Sequence, residues 1–447
     1  MSRRFRRAVV LTLAALAALV LLSAAVGKAL GPWALERAKQ RFARELGPLD
    51  RWTREDPVPA EADNAALALR RAVGALRLTE EDVRRLREVA SSPEPPAEAE
   101  ALRALLARHA EALAWLDEAA ARPHSSFAAR AAYFGGAPSA EDPSSLLRTA
   151  RLSTALGRLA LAEGDDAGLE RALGHLGALA AVLRRERVLV TSFLAGAVER
   201  SLYELLWRRA ARPGGAELFA AVDRLLRRIE SSPGLRDALA TEAALSAALL
   251  RSRAEQGLDP PQTWGDRLRS LVSPWTAQHL EAELLDTYVD LARALERPPA
   301  DQPARLRRPV WLRALDVAFP WHGPRWLSSL LIPNLLDSLH KERRLECERR
   351  LARLAVDLRL AAARQGAYPD RLPEGPPVAL SGERPLFVRT PDGGAELSLP
   401  GAEARIRQEL AGLRLDERDA PSRQLAAQAA RMTWRLPPAG LNPVAGE

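Results

Sequence analysis

Apolar residues run from Ala8 to Val26, interrupted only by Thr12 and Ser23. This is close to the ~20 residues that cross a hydrocarbon core, and longer than the ~7–15 of a signal-peptide core. Arg3, Arg4, Arg6 and Arg7 precede the run and mark its cytoplasmic side. The pattern predicts an N-terminal transmembrane helix within a signal anchor at residues 1–30. The chain would be single-pass in a bacterial inner membrane, with the N-terminus cytoplasmic and the body periplasmic. Small residues at Ala25-Val26-Gly27 leave a cleaved, secreted form as the alternative.

Beyond the anchor the period becomes helical. Residues 31–60 read as a juxtamembrane helix and linker. Ala66, Leu69, Val73 and Leu76 then recur on one helix face, and Thr79-Glu80-Glu81-Asp82 reads as a capping box opening the next helix. Leu102, Leu105, Leu106, His109, Leu113 and Leu116 form another apolar face. Residues 122–143 lose the period and form a long loop, of the kind that often carries function. Helices resume from Ser144 to Glu163, continue to about Arg187 after a Gly164-Asp165 turn, and recur over 190–211, 215–231 and 235–256. A Pro- and Trp-rich section from Pro260 to Pro333 is interrupted by a helix over 280–296. A long amphipathic helix is predicted over 335–365, with Cys347, Leu351, Leu354, Ala355 and Leu358 as its stripe. Pro385–Arg389 and Ala395–Leu399 read as strands around an Asp392-Gly393-Gly394 hairpin tip.

The expected fold is therefore mainly α: a transmembrane helix, an α-helical body over 61–340, and a small α+β segment over 341–447 with a β-hairpin. The stretch from Ala155 to Ala172 resembles one tetratricopeptide helix–turn–helix unit, so the body is expected to be built of helical hairpins of that kind.

Composition narrows the function. The 447 residues carry 65 Lys+Arg against 57 Asp+Glu, a net charge of +8. Residues 1–30 contribute Arg3, Arg4, Arg6, Arg7 and Lys28 with no acid, so the rest is nearly balanced and no nucleic-acid partner is implied. Only Lys28, Lys39 and Lys341 are lysines, an Arg bias that fits a GC-rich bacterial genome. A single cysteine, Cys347, excludes a disulfide framework and Cys-based zinc or iron–sulfur sites within one chain. A lone thiol suits an oxidising compartment if it is buried.

No motif points to a catalyst. The six histidines are His109, His124, His175, His279, His322 and His340, and none pairs with another at metal-ligand spacing. G-x-S-x-G, S-x-x-K, G-x-x-x-x-G-K-[ST] and G-x-G-x-x-G are all absent, so no catalytic residue, metal or cofactor is assigned. His109 and His175 read as ordinary helix histidines, and Glu163 with Asp165-Asp166 as a solvated turn. Two features are kept as candidate sites. His124 and Tyr133 share the long loop with Phe127 and Phe134. Trp264, Trp275, Trp311, Trp321 and Trp326 cluster in the Pro-rich section, as a partner surface, a sugar-stacking cleft, a membrane-interface patch or simply packing.

The segment from Arg343 to Leu372, ending Gly366-Ala367-Tyr368-Pro369, resembles a segment of membrane-anchored, mostly α-helical bacterial envelope proteins of unassigned activity. In these a helix ends in Gly-x-Tyr-Pro, followed by a Ser-Gly turn and a Gly-tipped hairpin. Ser381-Gly382, Pro385-Leu386 and Asp392-Gly393-Gly394 follow that course, and Asp63-Asn64-Ala65-Ala66 and Glu163-Gly164-Asp165 match further upstream. The ending is similar to that of type II secretion pseudopilins. The pseudopilin processing site and the acidic calcium-like loop are missing, so neither filament assembly nor a metal site is implied. The resemblance implies an architecture. Three functions follow as expectations: a non-enzymatic scaffold for envelope proteins on the periplasmic side, an accessory of a type II secretion or pilus-like system, or an envelope enzyme acting on cell-wall carbohydrate.

Overall fold

The computed structural model describes residues 30–54, 57–91, 96, 98–127, 143–256, 264–297, 325–372, 377–378, 380–412 and 420–439. The apolar run 8–26 lies outside them. Among the described residues no helix is long and apolar enough to cross a membrane. The chain is mainly helical, with a three-stranded antiparallel sheet near its C-terminus.

The described residues sort into two units. One gathers those of Met1–Arg54, Leu239–Ala294 and Asp301–Asp337, the other those of Glu55–Ala238, Leu295–Ala300 and Ser338–Glu447. In the first unit, helix α1 (30–46) and the short α2 (Leu49–Thr53) precede the other unit in sequence. Trp52 of α2 is buried and donates its indole N–H to the Leu46 carbonyl at 2.8 Å, closing the C-terminus of α1. Arg41 pairs with Asp286 at 2.8 Å and with Asp290, and Glu45 pairs with Arg293. The partners advance together, so α1 and the helix bearing Asp286 run parallel, with Phe42, Leu285 and Val289 fully buried.

The second unit opens with α3 (Ala65–Ala75), α4 (Glu80–Ser91), α5 (Ala99–Arg108) and α6 (Ala110–Ala121). The capping box at α4 is present: Asp82 N–H donates to Thr79 Oγ1 and Thr79 N–H to Asp82 Oδ2, both at 3.1 Å. Next come α7 (Pro143–Glu163), α8 (Asp166–Arg185), α9 (Leu189–Ala210) and α10 (Ala216–Glu230); α11 (Leu235–Gln256) begins in this unit and from Leu239 belongs to the first. Helix α8 is the hub, packing on α3, α6, α7, α9 and α10. Its sequence suits that place, because Ala and Gly between leucines let several helices approach, and nearly every residue from Leu173 to Arg184 is buried. At Gly177 an added Cβ would meet Leu225 Cδ1 at 2.2 Å, so glycine sets the α8–α10 separation. The turn into α8 is Gly164, at φ +71°, followed by Asp165, whose side chain accepts from Gly168 N–H at 3.0 Å.

Two helices are longer than the sequence pattern suggests. Helix α12 (Trp264–Leu295) passes through Pro274, and α13 (Arg325–Gln365) through Pro333. Each proline forfeits a backbone N–H and costs ~3 kcal/mol. In α12 the burial of Leu284, Leu285, Tyr288, Val289 and Leu291 downstream outweighs that cost.

After α13, Tyr368 is buried and donates its hydroxyl to the Pro437 carbonyl at 2.8 Å, tying the helix stop to the chain's end. The expected hairpin forms from β1 (Leu386–Arg389) and β2 (Ala395–Ser398). Helices α14 (Pro400–Gly412) and α15 (Ala420–Ala430) follow, and β3 (Thr433–Leu436) returns to pair with β2. Glu383 caps α14, accepting from Gly401 N–H at 2.9 Å and Ala402 N–H at 2.7 Å. Strand β3 sits on α9, where Trp207 donates its indole N–H to the Thr433 carbonyl at 3.0 Å.

Candidate functional site in the groove of three helices

A groove of about 380 Å³ opens between α6, α8 and α10. Helical spacing builds its walls. Asp117 and Ala120 of α6 lie three residues apart; Arg171 and His175 of α8 lie four apart; Ala221, Arg224, Leu225 and Arg228 of α10 share one face. Leu173, Gly174 and Leu225 supply its apolar lining.

Asp117 is the junction. Arg171 grips its carboxylate from two nitrogens, Nε at 2.8 Å and Nη2 at 2.7 Å, and His175 Nε2 approaches Oδ1 at 2.7 Å. Burial alone would raise the Asp117 carboxyl, but the His175 and Arg171 hydrogen bonds reverse this and hold it well below the usual carboxylate range. An ionised Asp117 only accepts, so the proton sits on His175 Nε2. The other ring nitrogen, Nδ1, is sealed from solvent without a partner, and the whole residue is 1% exposed.

The geometry resembles the base-and-orienter half of a catalytic triad, but a reactant must reach the nitrogen opposite the carboxylate. Here that nitrogen is walled in. Asp117, Arg171 and His175 therefore form a clamp that pins α6 to α8. Arg228 completes the joint by donating to the Ala120 carbonyl at 2.9 Å and to the Arg122 carbonyl, caring for the open C-terminus of α6.

Two charged side chains on the rim remain uncommitted. Arg224 and Glu170 are exposed and make no ion pair or hydrogen bond among the described residues. A molecule entering the groove meets one free cation, one free anion and an apolar lining.

The residues singled out from sequence fall elsewhere. His124 lies just after α6, and its backbone is the part in use. Ala65 N–H donates to the His124 carbonyl at 2.8 Å, His124 N–H donates to Asp63 O at 3.3 Å, and the two segments form a parallel bridge at Asn64. The Asn64 side chain secures the same strand-like segment, accepting from Ser126 N–H and donating to Ser126 O, both at 3.0 Å. The His124 imidazole itself is exposed. Tyr133, Trp311 and Trp321 lie outside the described residues. Trp264 and Trp275 fall on α12, and Trp326 falls on α13. Among the described residues, no group of His, Cys, Asp or Glu is placed to hold a metal ion.

Sequence reasoning passed over Asp117 and Arg171. The usable signal was the i, i+4 pair Arg171–His175 on a helix rich in Ala, Gly and Leu, where two polar groups on one face require a partner. Comparison of the chain with protein-family models, characterised proteins and solved structures finds no match.

Proposed function

We infer that the chain is a membrane-anchored scaffold, held by residues 8–26 with its body on the periplasmic side, that docks an envelope protein through the groove of α6, α8 and α10. The observation carrying this reading is the division of charge in that groove. The inner groups, Asp117, Arg171 and His175, are consumed by one another, while Arg224 and Glu170 on the rim are left for a partner. The occupant that fits is a polypeptide segment with one acidic and one basic residue flanking small apolar side chains.

The start of α1 supports the anchor. Trp33 is 61% exposed, with Leu30 exposed beside it and Arg37 5.5 Å over the indole ring. An exposed tryptophan a few residues beyond an apolar run suits the interfacial belt of a membrane. The hairpin stacking of helices in the tetratricopeptide manner, and the pseudopilin-like ending that would make the chain an accessory of a secretion system, belong to the same proposal.

The test places a photo-crosslinking amino acid at Ala221, within the groove, in the full chain in membranes of its host. One defined set of envelope proteins, lost on Arg224→Glu and absent from a control probe at Ala404 of α14, is the expected result. Background adducts alone, or the same set from both probes, would overturn the docking reading.

A further inference from the structure

The strand order places β1 at an edge of the sheet. Thr390 N–H donates to the Gly394 carbonyl at 3.0 Å, in register with the β1–β2 pairs. Backbone groups alternate in direction along a strand, so those of Leu386 and Val388 point toward β2. The N–H and C=O groups of Phe387 and Arg389 point to the open edge, where no described strand pairs with them.

On its outward face this edge lacks the usual charged protection. The inward face is Phe387, Leu397 and Trp434 in one row and Arg389, Ala395 and Leu436 in the next, with Arg389 2.7 Å from Asp370. The outward face carries Val388–Glu396–Arg435 and Leu386–Ser398–Thr433, polar on β2 and β3 and apolar on β1. Leu386 is 53% and Val388 61% exposed. Natural sheets guard open edges with charge, bulges or cover, so an apolar edge marks a pairing site.

We propose that β1 is a homodimer edge, pairing antiparallel with β1 of a second copy to make a continuous six-stranded sheet. One register satisfies every open group. With Val388 opposite Val388 of the second copy, Phe387 and Arg389 of each chain exchange N–H···O bonds with Arg389 and Phe387 of the other. The same register sets Leu386 across from Thr390 and brings exposed Arg384 toward exposed Asp392 at both ends, opposite charges meeting twice. Registers centred on Phe387 would instead set Arg389 against Pro385, which has no N–H to give. A two-fold axis through Val388 makes the interface self-complementary, as a dimer requires.

The test uses the full chain in membranes, with cysteines introduced singly and crosslinked by a mild oxidant. Cys347 is buried and does not compete. Val388→Cys should form a disulfide dimer readily, since a non-hydrogen-bonded antiparallel pair lies about 4.5 Å apart at Cα, within disulfide range. Leu386→Cys should react at least about tenfold more slowly, its partner being displaced about 13 Å along the strands. In detergent, the wild-type protein should have the mass of two chains, and Val388→Lys that of one with unchanged helical signal. Absence of the Val388→Cys dimer, equally fast crosslinking from Leu386→Cys or Ala404→Cys, or a wild-type mass of one chain would each overturn the proposal.

Discussion

Glu199 of α9 accepts a hydrogen bond from Arg349 of α13 at 2.9 Å, with its carboxylate wholly inside the second unit. Arg184 of α8 grips the other side of the same carboxylate, and Tyr203 donates its hydroxyl at 3.2 Å. Glu342 also lies beside both guanidinium groups, 3.3 Å from Arg184 and 3.4 Å from Arg349. Three helices are thus joined at one charge. Such a cluster adds little net stability over apolar packing, but removing one member leaves the others buried and uncompensated. Glu199→Ala should cost about 3–5 kcal/mol in denaturant unfolding. A loss below about 1 kcal/mol would show that the arginines find other partners.

The same carboxylate sets an acid limit. Burial would raise the Glu199 carboxyl, but Arg349 and Arg184 outweigh it and hold it below the ordinary value of 4.5. Folding therefore favours the ionised form. Its contribution is present above about pH 4.5 and is lost as pH falls through the lower, folded value. Partial desolvation raises the Glu230 and Asp357 carboxyls, which work in the opposite direction over part of this window. The difference between wild type and Glu199→Gln isolates the effect: the gap in unfolding free energy should shrink steadily below pH 4.5. A gap independent of pH would contradict the assigned ionisation.

Close packing of α8 on α10 gives a rescue experiment. Gly177→Ala places a methyl group 2.2 Å from Leu225 Cδ1 and 2.7 Å from its Cγ, so it should destabilise by about 1–3 kcal/mol. Leu225→Ala should restore much of that loss in the double variant, which thermal unfolding of the four proteins would read. Additive losses would mean that another neighbour sets the helix separation.

Asp117 is 44% exposed, so its grip on Arg171 and His175 is screened by water. Asp117→Asn should therefore cost only about 1 kcal/mol, despite the strong depression of its carboxyl. It should also loosen α6 from α8, visible as faster amide exchange over Ala110–Ala121. Unchanged exchange there would deny the clamp its role.

Much of the architecture was legible because it rests on local rules. The Thr79–Asp82 box, the Gly164-Asp165 turn, the boundaries of α9, α10 and α11, and the Asp392-Gly393-Gly394 hairpin all follow from caps, turns and periodicity. At Gly394 even the residue type is explained, since a Cβ would sit 2.7 Å from the Leu436 carbonyl. What local rules missed was set by distant partners. Helices α12 and α13 run through prolines that read as breaks. Strand β3 is only four residues, Thr433 to Leu436, and gains its meaning from β2, far back in the chain. The groove was hidden for the same reason: Asp117 and His175 are 58 residues apart, and the Arg171–His175 pair calls for a partner without identifying it.

Cys347 offers the most direct test of the proposed anchor and of the proposed outward-facing body. It is buried, and burial pushes its thiol far above the ordinary range, so the native chain should not react with maleimides until unfolded. That silence allows a single reporter, Glu170→Cys on the groove rim, to be labelled with a membrane-impermeant maleimide in intact spheroplasts. A membrane-anchored periplasmic scaffold requires labelling without lysis, on a chain that resists alkaline extraction from the membrane. Labelling only after lysis, or release of the chain by alkali, would contradict it.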